Sequence, residues 1–195
     1  IWIYVSPGET LDLSMVEAIG NTEKLTYINI YPTWMIEEGA ISYEGNDIYK
    51  ENYEILNIQA LKHLKNLDSI QISSANNLVD LKPFNGLDSI YSLYIDTSTL
   101  SSIEGIEGLP NLGSLQLNNV KVSDISLLTK ATGLVELVLI GMPIDTIDSI
   151  NTLDNLYLLH LGSMNIDNED LDDIKGLTNL EMLYLTDLNI SSLDS

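Results

Sequence analysis

The sequence predicts an α/β solenoid: a right-handed, curved stack of short units, with a parallel β-sheet on its concave side and short helical turns on its convex side. Two observations carry that expectation. First, an apolar pair recurs as Ile70/Ile72, Leu93/Ile95, Leu115/Leu117, Leu137/Leu139, Leu159/Leu161 and Leu183/Leu185, so successive strand ends lie 23, 22, 22, 22 and 24 residues apart. Second, the apolar residues around each pair fall at steps of three and two, as in LPNLGSLQLNNVKVSDISLL (109–128). Alternation at the centre of such a stretch suits a strand with one buried face, and the wider steps suit turns on either side of it. A unit of this size cannot bury its apolar face alone, so the units stack and form one quasi-linear core.

In chain order, residues 1–5 (IWIYV) alternate strictly, and Ile3 and Val5 are expected in the strand slots of a first repeat. Ser6, Pro7 and Gly8 form the next turn. SMVEAIGNTEKL (14–25) then aligns with SSIEGIEGLPNL (101–112), with Ser14 and Glu17 as a capping box on the outer side. Ile28 and Ile30 make the second strand. The interval from Ile30 to Ile72 is 42 residues, and no second apolar series fits it. Ile55, Ile58 and Leu61 match Val122, Ile125 and Leu128, which leaves one repeat enlarged by about 20 residues within 31–54. The enlargement contains Tyr31, Trp34, Tyr43, Tyr49 and Tyr53, and EGND inside AISYEGNDIYK (40–50) is a hairpin-like turn signal. Its aromatics either pack back onto the solenoid or form a binding feature.

From Leu61 the array is regular to Leu193, and strands are expected near residues 4, 29, 71, 94, 116, 138, 160 and 184. The acidic run DNEDLDD (167–173) invites a calcium reading. As an EF-hand it fails, because Asp172 stands where Gly is required and Thr178 where Glu is required. A solvated helical turn capped by Asp167 is the expectation instead. The organisation is therefore one domain over 1–195 with about eight repeats. Its last turn lacks a polar cap, which reads as a segment of a longer chain.

The LxxLxxLxL series with a period in the low twenties resembles the leucine-rich repeat family. SDISLL (123–128) and NIDNEDLDDIKGLTNL (165–180) are most similar to its bacterial internalin-like branch. One departure stands out. Where that pattern has Asn, three residues after the strand, this chain has Ala75, Ser98, Val120, Met142, Met164 and Leu188. The turn must therefore satisfy its backbone groups by other means.

Composition bounds the function. The formal charge is −21, from 29 acidic residues against 8 basic ones, and every base is Lys. Such a surface repels phosphate backbones and anionic membranes and lacks the bidentate phosphate ligand Arg, so neither nucleic acid nor membrane contact is expected. With no Cys there are no disulfides, no thiolate zinc sites and no thiol chemistry. No apolar run approaches a membrane span, and Ile1–Val5 is too short for a signal-peptide core.

Residues flanking the inward pair of each strand face the concave side. Read along the array they are Trp2 and Tyr4; Tyr27, Asn29 and Tyr31; Ser69, Gln71 and Ser73; Ser92, Tyr94 and Asp96; Ser114, Gln116 and Asn118; Glu136, Val138 and Ile140; Leu158, His160 and Gly162; Met182, Tyr184 and Thr186. The middle of this surface is polar and its ends are not. Val138, Ile140, Leu158, His160, Met182 and Tyr184, with Tyr94, Tyr27 and Tyr31, are the candidate partner-binding residues.

No catalytic motif appears, and His63 and His160 fall on different surfaces, so neither an enzyme nor a metal or other cofactor is expected. The resemblance implies a protein-binding module of a secreted or bacterial surface protein, whose ligand docks on the concave face. The alternatives are a structural spacer and a glycan- or calcium-binding adhesive module.

Overall fold

The computed structural model describes residues 1–6, 8–18, 24–32 and 53–190. Eight parallel strands form the main sheet: β1 (Trp2–Val5), β3 (Tyr27–Pro32), β5 (Ser69–Ser73), β6 (Ser92–Asp96), β7 (Ser114–Asn118), β8 (Glu136–Ile140), β9 (Leu158–Gly162) and β10 (Met182–Thr186), adjacent in that order. Two further strands, β2 (Thr10–Asp12) and β4 (Glu54–Leu56), make a small parallel sheet of their own. The helical elements among the described residues are 3₁₀ turns, the longest being Leu13–Ala18 and Ile58–His63. The chain is thus a leucine-rich repeat solenoid in which parallel strands alternate with 3₁₀ turns.

The predicted ladder holds from β3 onward, where Ile28 and Ile30 stand opposite Ile70 and Ile72. Leu93, Leu115, Leu137 and Leu159 stand in register on consecutive strands, as do Ile95, Leu117, Leu139 and Leu161. All eight are fully buried. The first strand corrects the expectation. Trp2 pairs with Asn29, Ile3 with Ile30 and Val5 with Pro32, so Ile1 and Ile3, not Ile3 and Val5, stand opposite Ile28 and Ile30. Trp2, not Tyr4, thus stands on the rung of Asn29. Alternation fixes which face a side chain takes, and a shift of two residues preserves the face while moving the rung.

The outer side of the first repeat also departs from the alignment of 14–25 with 101–112. β2 pairs Leu11 with Ile55, the equivalent of Val122, so Leu11 fills the slot assigned to Leu13. The cap is Asp12, not Ser14. Its Oδ1 accepts the Ser14 N–H at 2.9 Å and the Asn57 side chain at 2.8 Å, which draws the turn tight and starts the 3₁₀ segment at Leu13. The same device recurs: Asp80, Asp124 and Asp167 accept the N–H two residues ahead, and Ser102 and Thr146 do so with their hydroxyls. Asp167 therefore stabilises its turn as a side-chain acceptor, although the 3₁₀ segment itself begins at Asp170.

The turns lacking the family Asn are satisfied in two ways. The residue after each strand adopts positive φ at Ser74, Thr97, Asn119, Gly141, Ser163 and Asp187. That geometry turns its N–H along the sheet, and Ser74, Thr97, Asn119, Gly141 and Ser163 donate to the carbonyls of Asp96, Asn118, Ile140, Gly162 and Thr186, one repeat on. Before the strand, Asn111, Asn155 and Asn179 donate their side-chain amides to the carbonyls of Asp88, Thr132 and Asp154, one repeat back. Freed from that duty, the vacated slot takes bulk, and Ala75, Ser98, Val120, Met142 and Met164 are all buried in it. In the enlarged repeat the slot belongs to Tyr53, wholly buried, whose hydroxyl donates to the Ile30 carbonyl at 3.2 Å. Burial holds its phenol well above the usual tyrosine range. Tyr53 therefore packs into the solenoid. Trp34, Tyr43, Tyr49 and the hairpin signal at 40–50 lie outside the described residues.

Candidate concave interface

Register determines which outward side chains meet. On β8–β10, Glu136, Leu158 and Met182 form one row, Val138, His160 and Tyr184 the next, and Ile140, Gly162 and Thr186 the third. Six of the nine candidate residues, Val138, Ile140, Leu158, His160, Met182 and Tyr184, thus adjoin one another. Tyr184 is 47% exposed, and the other five are half-buried by neighbouring strands. The His160 and Tyr184 rings lie 5.5 Å apart, tilted by 51°. A His160 ring nitrogen lies 3.1 Å from the Thr186 hydroxyl, and the Tyr184 hydroxyl donates to Met182 sulfur at 3.7 Å. Gly162 leaves a notch beside Ile140 in which a Cβ would strike the Thr186 hydroxyl.

The other three candidates lie elsewhere on the face. Tyr27 and Tyr31 are on β3, four inter-strand steps of about 4.8 Å, roughly 19 Å, from β8. Tyr94 stands between Gln71 and Gln116, and its hydroxyl accepts from the Asn118 amide at 3.2 Å. Around Tyr31 the structure assembles a group that the candidate residues lack. Tyr4 pairs directly with Tyr31, and Trp2 precedes it on the same face. The three rings are within 29° of parallel, with centroids 5.6 to 6.5 Å apart. Trp2 is 55% exposed and Tyr4 44%, which makes them among the most open large apolar side chains described. The strict alternation of IWIYV was the available signal for both.

Further along that row, beyond the buried Ser73 and two inter-strand steps or about 10 Å from Tyr31, is a polar group that sequence reading passed over. Asp96 is only 5% exposed. Its carboxylate accepts from the Thr97 hydroxyl at 2.9 Å and, distantly, from the Asn119 amide at 3.4 Å. No salt bridge reaches it among the described residues, and none of the described lysines lies on a strand of the main sheet. Burial raises its carboxyl above the ordinary carboxylate range, against the opposing pull of those hydrogen bonds. Tyr31 is felt here too: its phenol is raised by burial first, then by Tyr4 and by the Asp96 charge. Asn118 pairs with Asp96 in the sheet, and its buried Oδ1 has no hydrogen-bond partner.

The outer surface offers less. His63 and Glu17 approach within 3.4 Å, both exposed, far from His160. Asp173 lies above the usual range from slight desolvation and from its neighbours Asp148, Asp170 and Asp172. Among the described residues no group of three His, Cys, Asp or Glu is arranged to hold a metal ion, and no helix is long and apolar enough to cross a membrane.

No family model matches the chain, and no curated protein is similar to it in sequence. Solved structures are similar in fold. An internalin C2 from Listeria monocytogenes is 19% identical, with a TM-score of 0.58 over 95% of this chain and 80% of its own. TLR13, solved in complex with ssRNA13, is 18% identical with a TM-score of 0.66, over 99% of this chain and 29% of its own. A leucine-rich repeat protein of Leptospira interrogans is 17% identical with a TM-score of 0.58, over 98% and 50%. The chain thus spans most of the internalin but half or less of the other two. The in-register ladders, the parallel sheet and these likenesses agree that the chain has the leucine-rich repeat fold.

Proposed function

We propose that the chain is a non-enzymatic protein-binding module that takes its partner on the concave sheet, in a secreted or bacterial surface protein. The observation that carries this reading is the continuous apolar group on β8–β10. Val138, Ile140, Leu158, His160, Met182 and Tyr184 adjoin one another on a strand-built surface whose middle is polar, in a chain that is strongly acidic. Exposed apolar residues in contact on a sheet are costly unless a partner covers them. Aromatics and Met are the types enriched at interface cores, and side chains fixed on a sheet lose little entropy on docking. Tyr184, the most open of the six, is the expected energetic centre.

A protein partner fits the charge better than nucleic acid does, because a net charge of −21 repels a phosphate backbone over the whole surface. The internalin likeness supports the extracellular setting. The test is retention of a partner from preparations of host and bacterial surface proteins on the immobilised chain. Tyr184→Ala and Ile140→Asp should each weaken binding by about 2 kcal/mol or more while melting as the parent does, and Lys121→Ala on an outer loop should bind normally. Folded variants that bind as well as the parent would exclude β8–β10 as the site. Unchanged binding across all concave substitutions would favour a structural spacer.

A further inference from the structure

We propose that the other end of the concave face is a receptor for a cationic side chain, an arginine of the partner, held by the aromatic faces of Trp2, Tyr4 and Tyr31 and by the Asp96 carboxylate. The inference rests on the concave face being the binding surface and adds the chemistry of what is bound there. A carboxylate as enclosed as Asp96 is normally paired or fully hydrogen-bonded. Here the donors are the Thr97 hydroxyl at 2.9 Å, the Asn119 amide at 3.4 Å and the Thr97 backbone N–H, and no described cation pairs with it. An acceptor without a donor, Asn118 Oδ1, belongs to the neighbouring residue on the next strand. The row therefore has acceptors in excess. On its other side, beyond Ser73, stand three near-parallel rings, of which Tyr31 is the nearest and Trp2 and Tyr4 are about half exposed, and their faces attract cations.

A guanidinium suits both halves of this arrangement. It is planar and weakly hydrated, so it can lie on a ring, and it carries forked donors that match a carboxylate. A lysine would meet the charge but not the plane. The chain has no arginine of its own, and among the described residues no lysine lies on a strand of the main sheet or pairs with Asp96. The net charge of −21 favours the approach of a cation from a distance.

The test uses the whole chain with Trp34→Phe, which leaves Trp2 as the fluorophore. N-acetyl-arginine amide is titrated against its neutral isostere, N-acetyl-citrulline amide. The arginine compound should change Trp2 emission saturably and the citrulline compound should not. Asp96→Asn should weaken the arginine response by about tenfold or more, the loss expected for a hydrogen bond to a charged group. Tyr4→Leu should weaken it while leaving the Asp96 environment in place, which guards against a misfolded Asp96 variant. Equal responses to the two compounds, or an Asp96→Asn variant that melts normally and binds arginine as the parent does, would overturn the proposal. The Ile140→Asp variant should titrate as the parent. If it loses the captured partner while arginine fails to bind any form, the concave reading stands and this inference falls.

Discussion

Leu115→Ala tests the ladder where its geometry is most complete. Leu115 is fully buried, with Leu93 and Leu137 in register on the strands either side. The substitution removes three carbon groups, each contributing about 0.8 kcal/mol on burial, which sets a floor of about 2.4 kcal/mol. The cavity adds to that, because backbone hydrogen bonds on both flanks hold the strands at their spacing and keep the gap from collapsing. A total of about 3–4 kcal/mol follows, inside the range of about 2–5 kcal/mol usual for such truncations. Gln116 is the adjacent residue on the same strand, but it faces the concave side between Tyr94 and Val138. Gln116→Ala should cost less than about 1 kcal/mol. Urea unfolding at equilibrium measures both, provided the slope of free energy against urea stays constant across the set. Losses equal within about 0.5 kcal/mol would show that the two faces are wrongly assigned, since additive error is of that size.

Three further substitutions read other parts of the same argument. At Gly105 φ is +103° and a Cβ would strike the backbone of Leu81 and Lys82, whereas at Gly86 φ is +82° and a Cβ would meet nothing. Gly86→Ala should cost only the left-handed strain of about 1–2 kcal/mol, and Gly105→Ala clearly more; a smaller loss at Gly105 in thermal melts would refute the packing of that turn on the preceding repeat. For Asp96, burial raises the folded carboxyl above its unfolded value, so its proton stabilises the fold. That contribution is fully present below the unfolded pKa of about 3.9 and is lost as pH rises through the folded one. The melting temperature of Asp96→Asn relative to the parent should therefore climb from pH 4 to pH 7. A difference that does not change with pH would mean the carboxylate is not held raised.

Much of the fold was legible because its signal is redundant. An inward Leu or Ile recurs at each strand from Ile70 to Leu185, and any single irregular step is outvoted by the rest. Where the signal is local, it fails in a definite way. IWIYV shows which side chains share a face but not which rung they occupy, and the register came out two residues from the expected one. Asp12 was hidden for a similar reason. Its pairing with Asn57 spans 45 residues and the enlarged repeat, so the only local mark of Asp12 as the cap is its place two residues before a turn N–H, which Asp80 and Asp124 share. Tyr53 looked like one more aromatic of the enlargement; its two-residue spacing to Ile55, the same as Val120 to Val122, was the signal that could have marked it as the core residue of its slot, which its burial and its bridge to Ala75 show.

The concave face was legible as a list of residues and not as an environment. Asp96 occupies the same column as Ser73, Asn118 and Ile140, and from sequence it is one more polar residue in a polar middle. What distinguishes it is the turn that follows: positive φ at Thr97 sets that hydroxyl on the carboxylate, and Asn119 closes on it from the next repeat. Enclosure thus comes from two turns in different repeats, each of which also carries the sheet's hydrogen bonds past the strand end. A buried, unpaired acid lowers stability near neutral pH, and serine or asparagine, which its neighbours in the column use, would avoid the penalty. A charge there, two strands from a group of three rings of which two are exposed, is the strongest physical argument for the proposed recognition at this end of the sheet.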